Sequence, residues 1–183
     1  MQVEQAKFSD AEAVASVLQE AAAWLAGGGR PLWSSQEVGD ERVQIDTARG
    51  GYFVARSNRG DVVGVVRIDL DDPVFWPEIE SGNAAFVHKL AVRRSAAGQG
   101  VSTALLDFAQ AHTARLGRSF LRLDCVADRA ALRSLYERFG FALHSVVHKG
   151  ATSFARYELR VNAPGDSRSP AGAAAPASLA APG

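Results

Sequence analysis

The chain has 183 residues, 20 basic against 20 acidic, a formal charge of zero and a 47% apolar composition. That length suits one domain, or one domain plus a tail. The balance gives no global field for nucleic acid or an anionic membrane, and the apolar share is too high for a disordered chain. A single cysteine, Cys125, excludes a disulfide framework and any cysteine-rich zinc site. No apolar run approaches the roughly 20 residues that span a bilayer, and the N-terminus has no signal-peptide pattern. The expected location is therefore cytoplasmic, with neither nucleic acid nor membrane as partner.

In chain order, Ser9-Asp10-Ala11-Glu12 has the capping-box pattern, and Val14, Val17, Leu18, Ala21 and Leu25 follow at helical spacing until Gly27-Gly28-Gly29. A second helix is predicted over 35–47. The period then becomes that of strands: 52–55 and 62–70 flank Ser57-Asn58-Arg59-Gly60 as a hairpin, and 85–92 follows a connection holding Pro73, Pro77 and Gly82. Gly98 and Gly100 precede Val101, Ala104, Leu105, Phe108 and Ala109, an amphipathic helix ending near Gly117. A strand over 120–125, a helix over 130–139 stopped by Gly140, and strands over 141–147 and 152–161 complete the order ααβββαβαββ. The expected class is α/β (α+β), a single sheet layer with helices on its faces. Residues 1–162 are read as the domain. Residues 163–183, 18 of which are Ala, Pro, Gly or Ser, are read as a disordered tail.

The stretch with most chemical content runs from Val87 to Ser102, a strand feeding a glycine-containing loop that opens a helix. The first N–H groups of a helix have no internal partner and face the positive end of its dipole, so Gly98-Gln99-Gly100-Val101-Ser102 suits phosphate. It is not a Walker A loop, because no lysine precedes Ser102. A dinucleotide loop would need a third glycine where Thr103 stands; Asp124, at the end of the next strand, is the one feature that favours that reading.

Leu90-Ala91-Val92-Arg93, then Gly98-Gln99-Gly100-Val101-Ser102 and Ala104-Leu105-Leu106, resemble the acyl-CoA-binding motif of GNAT N-acetyltransferases. Leu132-Arg133-Ser134-Leu135-Tyr136-Glu137-Arg138-Phe139-Gly140-Phe141 resembles that family's last helix and its exit into the next strand. The resemblance covers about residues 1–161. It implies a mixed, mostly antiparallel sheet and acetyl-CoA as co-substrate. It also implies backbone groups of Leu90 and Val92 on the pantetheine amides, and residues 98–102 on the pyrophosphate. Tyr136 takes the place of the general acid toward the CoA sulfur. Ala97 and Ser102 depart from the family's loop, and Arg129 replaces a common asparagine and is expected to reach the CoA phosphates.

His88 alternates with Leu90 and Val92 and is a candidate base, its ordinary pKa near 6.5 suiting proton uptake. Glu78 and Glu80 are alternatives on the preceding connection, where Asp69, Asp71 and Asp72 add to an acidic mouth suited to a cationic amine. Trp24, Trp33, Phe75 and Trp76 are candidates for the wall of an acceptor pocket. The expected activity is direct transfer of an acetyl group to a primary amine of a small molecule or peptide, with no metal. A homodimer, a non-catalytic acyl-CoA sensor and a dinucleotide-binding oxidoreductase stay open as alternatives.

Overall fold

Central strands carry apolar residues on both faces, because helices cover both sides of the sheet. In β2 (Tyr52–Arg56), Tyr52 and Val54 face one side and Phe53 and Ala55 the other, all four buried. The protein is described here by a computed structural model covering residues 1–161. The tail expected over 163–183 lies outside the described residues.

Seven strands form one sheet in the order β1-β2-β3-β4-β5-β7-β6. They are β1 (Gln2–Gln5), β2, β3 (Val62–Asp69), β4 (Ala84–Val92), β5 (Phe120–Val126), β6 (Ala142–Lys149) and β7 (Thr152–Arg160). Only β4 and β5 pair in parallel; the other five pairings are antiparallel. The helices are α1 (Ala11–Gly27), α2 (Asp40–Ala48), α3 (Val101–Arg115) and α4 (Ala130–Phe139). One core cluster joins α1 and α2 to the sheet through Val14, Val17, Leu18, Val43, Tyr52, Val54 and Val65. A larger one joins α3 and α4 through Val66, Val87, Leu105, Leu106, Leu121, Leu123 and Tyr136, and a small third cluster holds Trp76, Ala84 and Phe86. No helix among the described residues is long and apolar enough to cross a membrane.

The element order is βααβββαβαββ, with one strand more than the sequence pattern predicts. Strand β1 carries a single apolar residue in Gln2-Val3-Glu4-Gln5, so no period is visible; its pairing with 53–56 of β2 makes it a strand. The capping box at Ser9 and Glu12 does not form. Asp10 is the N-cap of α1, its Oδ2 accepts the Lys7 N–H at 2.9 Å, and its Oδ1 is drawn to Arg56 Nη2 at 2.9 Å. Helix α2 starts at Asp40 rather than 35, because Glu37 Oε2 accepts both the N–H and the hydroxyl of Ser34 and folds that segment into a turn.

Two features of β4 shape the site. Its pairing with β5 stops at Val87 opposite Leu123, although β4 runs on to Val92 and β5 to Val126. The strands splay beyond that pair. On the other edge, the register with β3 shifts between Val65 and Arg67, so that Lys89 and Leu90 together oppose Val66. This bulge holds Lys89 at φ 48°, a left-handed conformation that costs a non-glycine residue roughly 1 kcal/mol. The Lys89 ammonium donates to the Glu37 carbonyl at 2.9 Å and sits over the Trp33 ring, which anchors the bulge to the α1–α2 connection.

Helix α3 lies tightly on β3 at Gly64. A Cβ there would stand 2.5 Å from Val101 Cγ1 and 3.1 Å from Leu105 Cδ1. Gly64→Ala is expected to destabilise the fold by about 1–3 kcal/mol through overpacking, read as a lower urea midpoint with an unchanged slope.

Candidate active site

The splay opens a cleft of about 900 Å³ between β4 and β5, walled by α4 on one side and by the end of α1 and its following loop on the other. Its floor is the backbone edge of β4. Arg93 N–H donates to Val63 O at 2.9 Å, so the alternation of an antiparallel ladder turns the Val92 groups away from β3 and toward the gap, with Leu90 carried there by the bulge. These are the two residues expected to meet pantetheine amides, and both line the cleft.

Past Val92 the chain makes a 3-10 turn (Arg94–Ala96) and enters the glycine loop. Ala97, Gly98, Gln99 and Gly100 are exposed, Val101 is buried and Ser102 half-buried. Gly98 and Gly100 have φ of 76° and 78°, which only glycine adopts without strain, and Gly100 is the N-cap of α3. Ala104 N–H is the first to return to the loop, onto Gly100 O at 3.0 Å. Among the described residues the N–H groups of Gly98, Gly100, Val101, Ser102 and Thr103 therefore have no backbone acceptor, and no acidic side chain stands in the first turn. That set of free donors fits a pyrophosphate.

The arginines divide. Arg93 is committed to the protein: Nη1 pairs with Glu20 at 2.8 Å, Nη2 donates to Ser16, and Nε donates to Val62 O. Arg94 faces the cleft with its guanidinium 3.9 Å over the Trp24 ring. Arg129, the N-cap of α4, lines the cleft and donates to the Pro31 carbonyl at 3.3 Å, tying α4 to the α1–α2 connection. Arg30 also lines this region beside Trp24, so the open end of the cleft is basic.

The apex is acidic. His88 and Asp124 are the first residues beyond the last β4–β5 pair, so the splay itself brings them face to face. Donor atoms of His88, Asp124 and Asp72 all lie within 4.8 Å of one another. His88 Nε2 is 3.6 Å from Asp69 Oδ2 and 3.8 Å from Asp72 Oδ2. Burial holds the imidazole below its ordinary pKa against the pull of both carboxylates, so it is neutral at pH 7 with a lone pair to offer. Burial, reinforced by Asp72, pushes Asp124 up to about 7, with Arg156 acting the other way.

Tyr136 lines the same cleft from α4, its ring edge-on to Phe141 at 5.9 Å. Burial raises its pKa well above 10, the neighbouring Cys125 and Asp124 add to the shift, and no hydrogen bond offsets it, so the phenol keeps its proton. Cys125 is buried and its thiol is pushed up to about 12 by burial and the Asp124 charge, which leaves it protonated and inert. Glu80 lies exposed on the connection and outside the cleft lining, and Glu78 is tied to Arg156 at 2.7 Å.

Sequence reasoning did not place Asp124 among the candidate acid–base residues and treated Asp72 only as part of a charged mouth. Asp124 had a signal: with Arg122 it puts charges at alternate positions of the otherwise apolar run Leu121-Leu123-Cys125. Asp72 had none, because a β3–β4 connection fold decides where it points.

Residues 18–141 match the Acetyltransferase (GNAT) family. A curated relative, the uncharacterized N-acetyltransferase YesJ of Bacillus subtilis (strain 168), is 31% identical over 143 residues, covering 74% of this chain and 78% of its own. A GNAT-family acetyltransferase from Listeria monocytogenes 4b F2365 has a similar fold, with a TM-score of 0.71 and 22% identity over 87% of this chain and 94% of its own. So does the PaiA N-acetyltransferase of Thermoplasma acidophilum, solved with coenzyme A, with a TM-score of 0.67 and 15% identity over 85% and 96%. Strand edge, phosphate cradle and family match agree, and the chain belongs to the GNAT family as an acetyl-CoA-dependent N-acetyltransferase.

Proposed function

We propose that this acetyltransferase moves an acetyl group directly to a cationic primary amine on an apolar or aromatic body, with His88 and Asp124 taking up the amine's proton and Tyr136 donating one to the departing sulfur. The observation that carries the reading is the apex of the splay, where a neutral imidazole, a carboxyl poised at about 7 and a protonated phenol line one cleft. Acetyl-CoA supplies the activated acyl group as a thioester.

The chain's own residues divide the remaining work. The free N–H groups of Gly98 and of 100–103 would hold the pyrophosphate, and the edges of Leu90 and Val92 would align the pantetheine arm as an added strand. Asp69, Asp72 and Asp124 favour an incoming ammonium at the apex. Once it is bound, the His88–Asp124 pair receives its proton and frees the lone pair that attacks. Each proton-transfer group of this kind contributes about 10²–10⁴ in rate. An acyl-cysteine route is disfavoured by the protonated Cys125 thiol, which supports direct transfer.

Leu25, Leu32, Trp33, Phe75 and Phe154 give the cleft an apolar wall. Burying an aromatic body there is worth about 1.5–3 kcal/mol, or about tenfold or more in kcat/KM. Thiol release from acetyl-CoA over an amine panel tests the reading. Arylalkyl primary amines are expected to exceed short aliphatic ones by at least about tenfold, and tertiary amines and alcohols to give no product. Tight acetyl-CoA binding with no turnover on any amine would sink the proposal.

A further inference from the structure

The buried face of Asp72 asks for a ligand that the fold itself does not supply. The residue is only 8% exposed. Its Oδ1 accepts the N–H groups of Val74 at 3.1 Å and Phe75 at 2.9 Å, and its carbonyl accepts Trp76 N–H at 2.9 Å, so the β3–β4 connection is wound around it and fixes its direction. Among the described residues, Oδ2 is left buried with no hydrogen-bond partner. A buried carboxylate oxygen without a partner costs on the order of 1–3 kcal/mol or more and calls for an explanation. His88 Nε2 stands 3.8 Å away, beyond hydrogen-bond distance.

We propose that Asp72, His88 and Asp124 form a site for one divalent transition-metal ion, zinc being the best match, at the apex of the cleft. Their three donor atoms already lie within 4.8 Å of one another, and metal–ligand bonds of about 2.0–2.2 Å draw such a set together with a modest side-chain adjustment. One imidazole nitrogen with two carboxylate oxygens is a donor set for zinc, cobalt or manganese rather than for a soft ion, and the open side toward the cleft leaves room for water. Asp69 flanks the group with a further carboxylate 3.6 Å from His88. The nearby cations are engaged elsewhere. Arg67 holds Asp46 and Asp69, and Arg156 holds Glu78 and the Phe75 carbonyl. A bound ion occupies the lone pairs that would otherwise receive the acceptor's proton. It therefore acts as an inhibitor competing with the amine, and the metal-free protein is the active form.

The test titrates the metal-stripped full chain with zinc by calorimetry and with cobalt by visible absorption. One ion per chain is expected, with cobalt bands of low-coordinate intensity. Asp72→Asn and His88→Gln should each weaken binding by at least about tenfold, and Asp107→Asn on the outer face of α3 should leave it unchanged. Circular dichroism melts establish that each variant is folded, and the two ligand variants report independently. No saturable binding below about 1 mM, or full affinity in both ligand variants, would overturn the site. Since binding is read without any acceptor, the site and the transferase assignment can fail separately: zinc binding that does not compete with the amine would remove His88 and Asp124 from catalysis and keep them as ligands.

Discussion

Tyr136→Phe is expected to lower kcat for acetyl transfer by about 100- to 1,000-fold while leaving the KM for acetyl-CoA nearly unchanged. The phenol is buried on α4 among Phe141 and Tyr157, lines the cleft, and keeps its proton because burial and the neighbouring Asp124 and Cys125 oppose ionisation. A thiolate leaving into such a site needs a donor that is charged with its proton at every working pH. Phenylalanine fills the same volume, and no hydrogen bond contributes to the state of the Tyr136 hydroxyl, so the melting temperature should hold within a few degrees. A loss of rate with stability intact locates the effect in proton donation. An unchanged kcat would remove that role from Tyr136.

Asp124→Asn is expected to cut kcat by about 100-fold and, unlike most losses of function, to stabilise the protein above neutral pH. Asp124 titrates at about 7 in the fold, against about 3.9 in an unfolded chain. Between those values the folded protein holds a proton that the unfolded chain has released, so stability present at low pH is lost as pH rises toward 7. Asparagine carries no charge to desolvate. The variant should therefore melt several degrees above the parent at pH 8 and close to it at pH 4, a difference that thermal scans at the two pH values measure. An equal melting temperature at pH 8 would mean that Asp124 is not a strained carboxylate.

The sequence carried the donor half of the site better than the acceptor half. Gly98 and Gly100 are legible because a left-handed loop before a helix demands that residue type, and both adopt it. Leu90, Val92 and Tyr136 come with local motifs whose spacing survives folding, and all three line the cleft. The acid–base apex depends instead on where pairing between β4 and β5 ends, which no local pattern records. His88 was reachable from strand alternation, yet its partners arrive from a different strand and from a connection. The bulge at Lys89 was equally hidden, since a lysine at positive φ is held there by Glu37 and Trp33 rather than by its own preference. Local signals also lost where a distant charge intervened: Asp10, held by Lys7 N–H and Arg56, displaced the capping box at Ser9. Arg93, just before the glycine loop, is likewise claimed by Glu20 on α1, a partner 73 residues away that no local pattern records.

The central claim is that the apex of the splayed strands removes the acceptor's proton while Tyr136 supplies one to the sulfur. It is tested most directly by kcat/KM for the amine against pH, at saturating acetyl-CoA, for the parent and Asp124→Asn side by side. Under those conditions kcat/KM reports the groups of the enzyme before the amine binds. The parent should show one rising limb through about 7, where Asp124 ionises, and no falling limb until well above about 10, because Tyr136 is held protonated. The variant should lose the limb near 7 together with most of its rate. Superimposable profiles, or a rate in the parent that falls just above neutrality, would contradict the account.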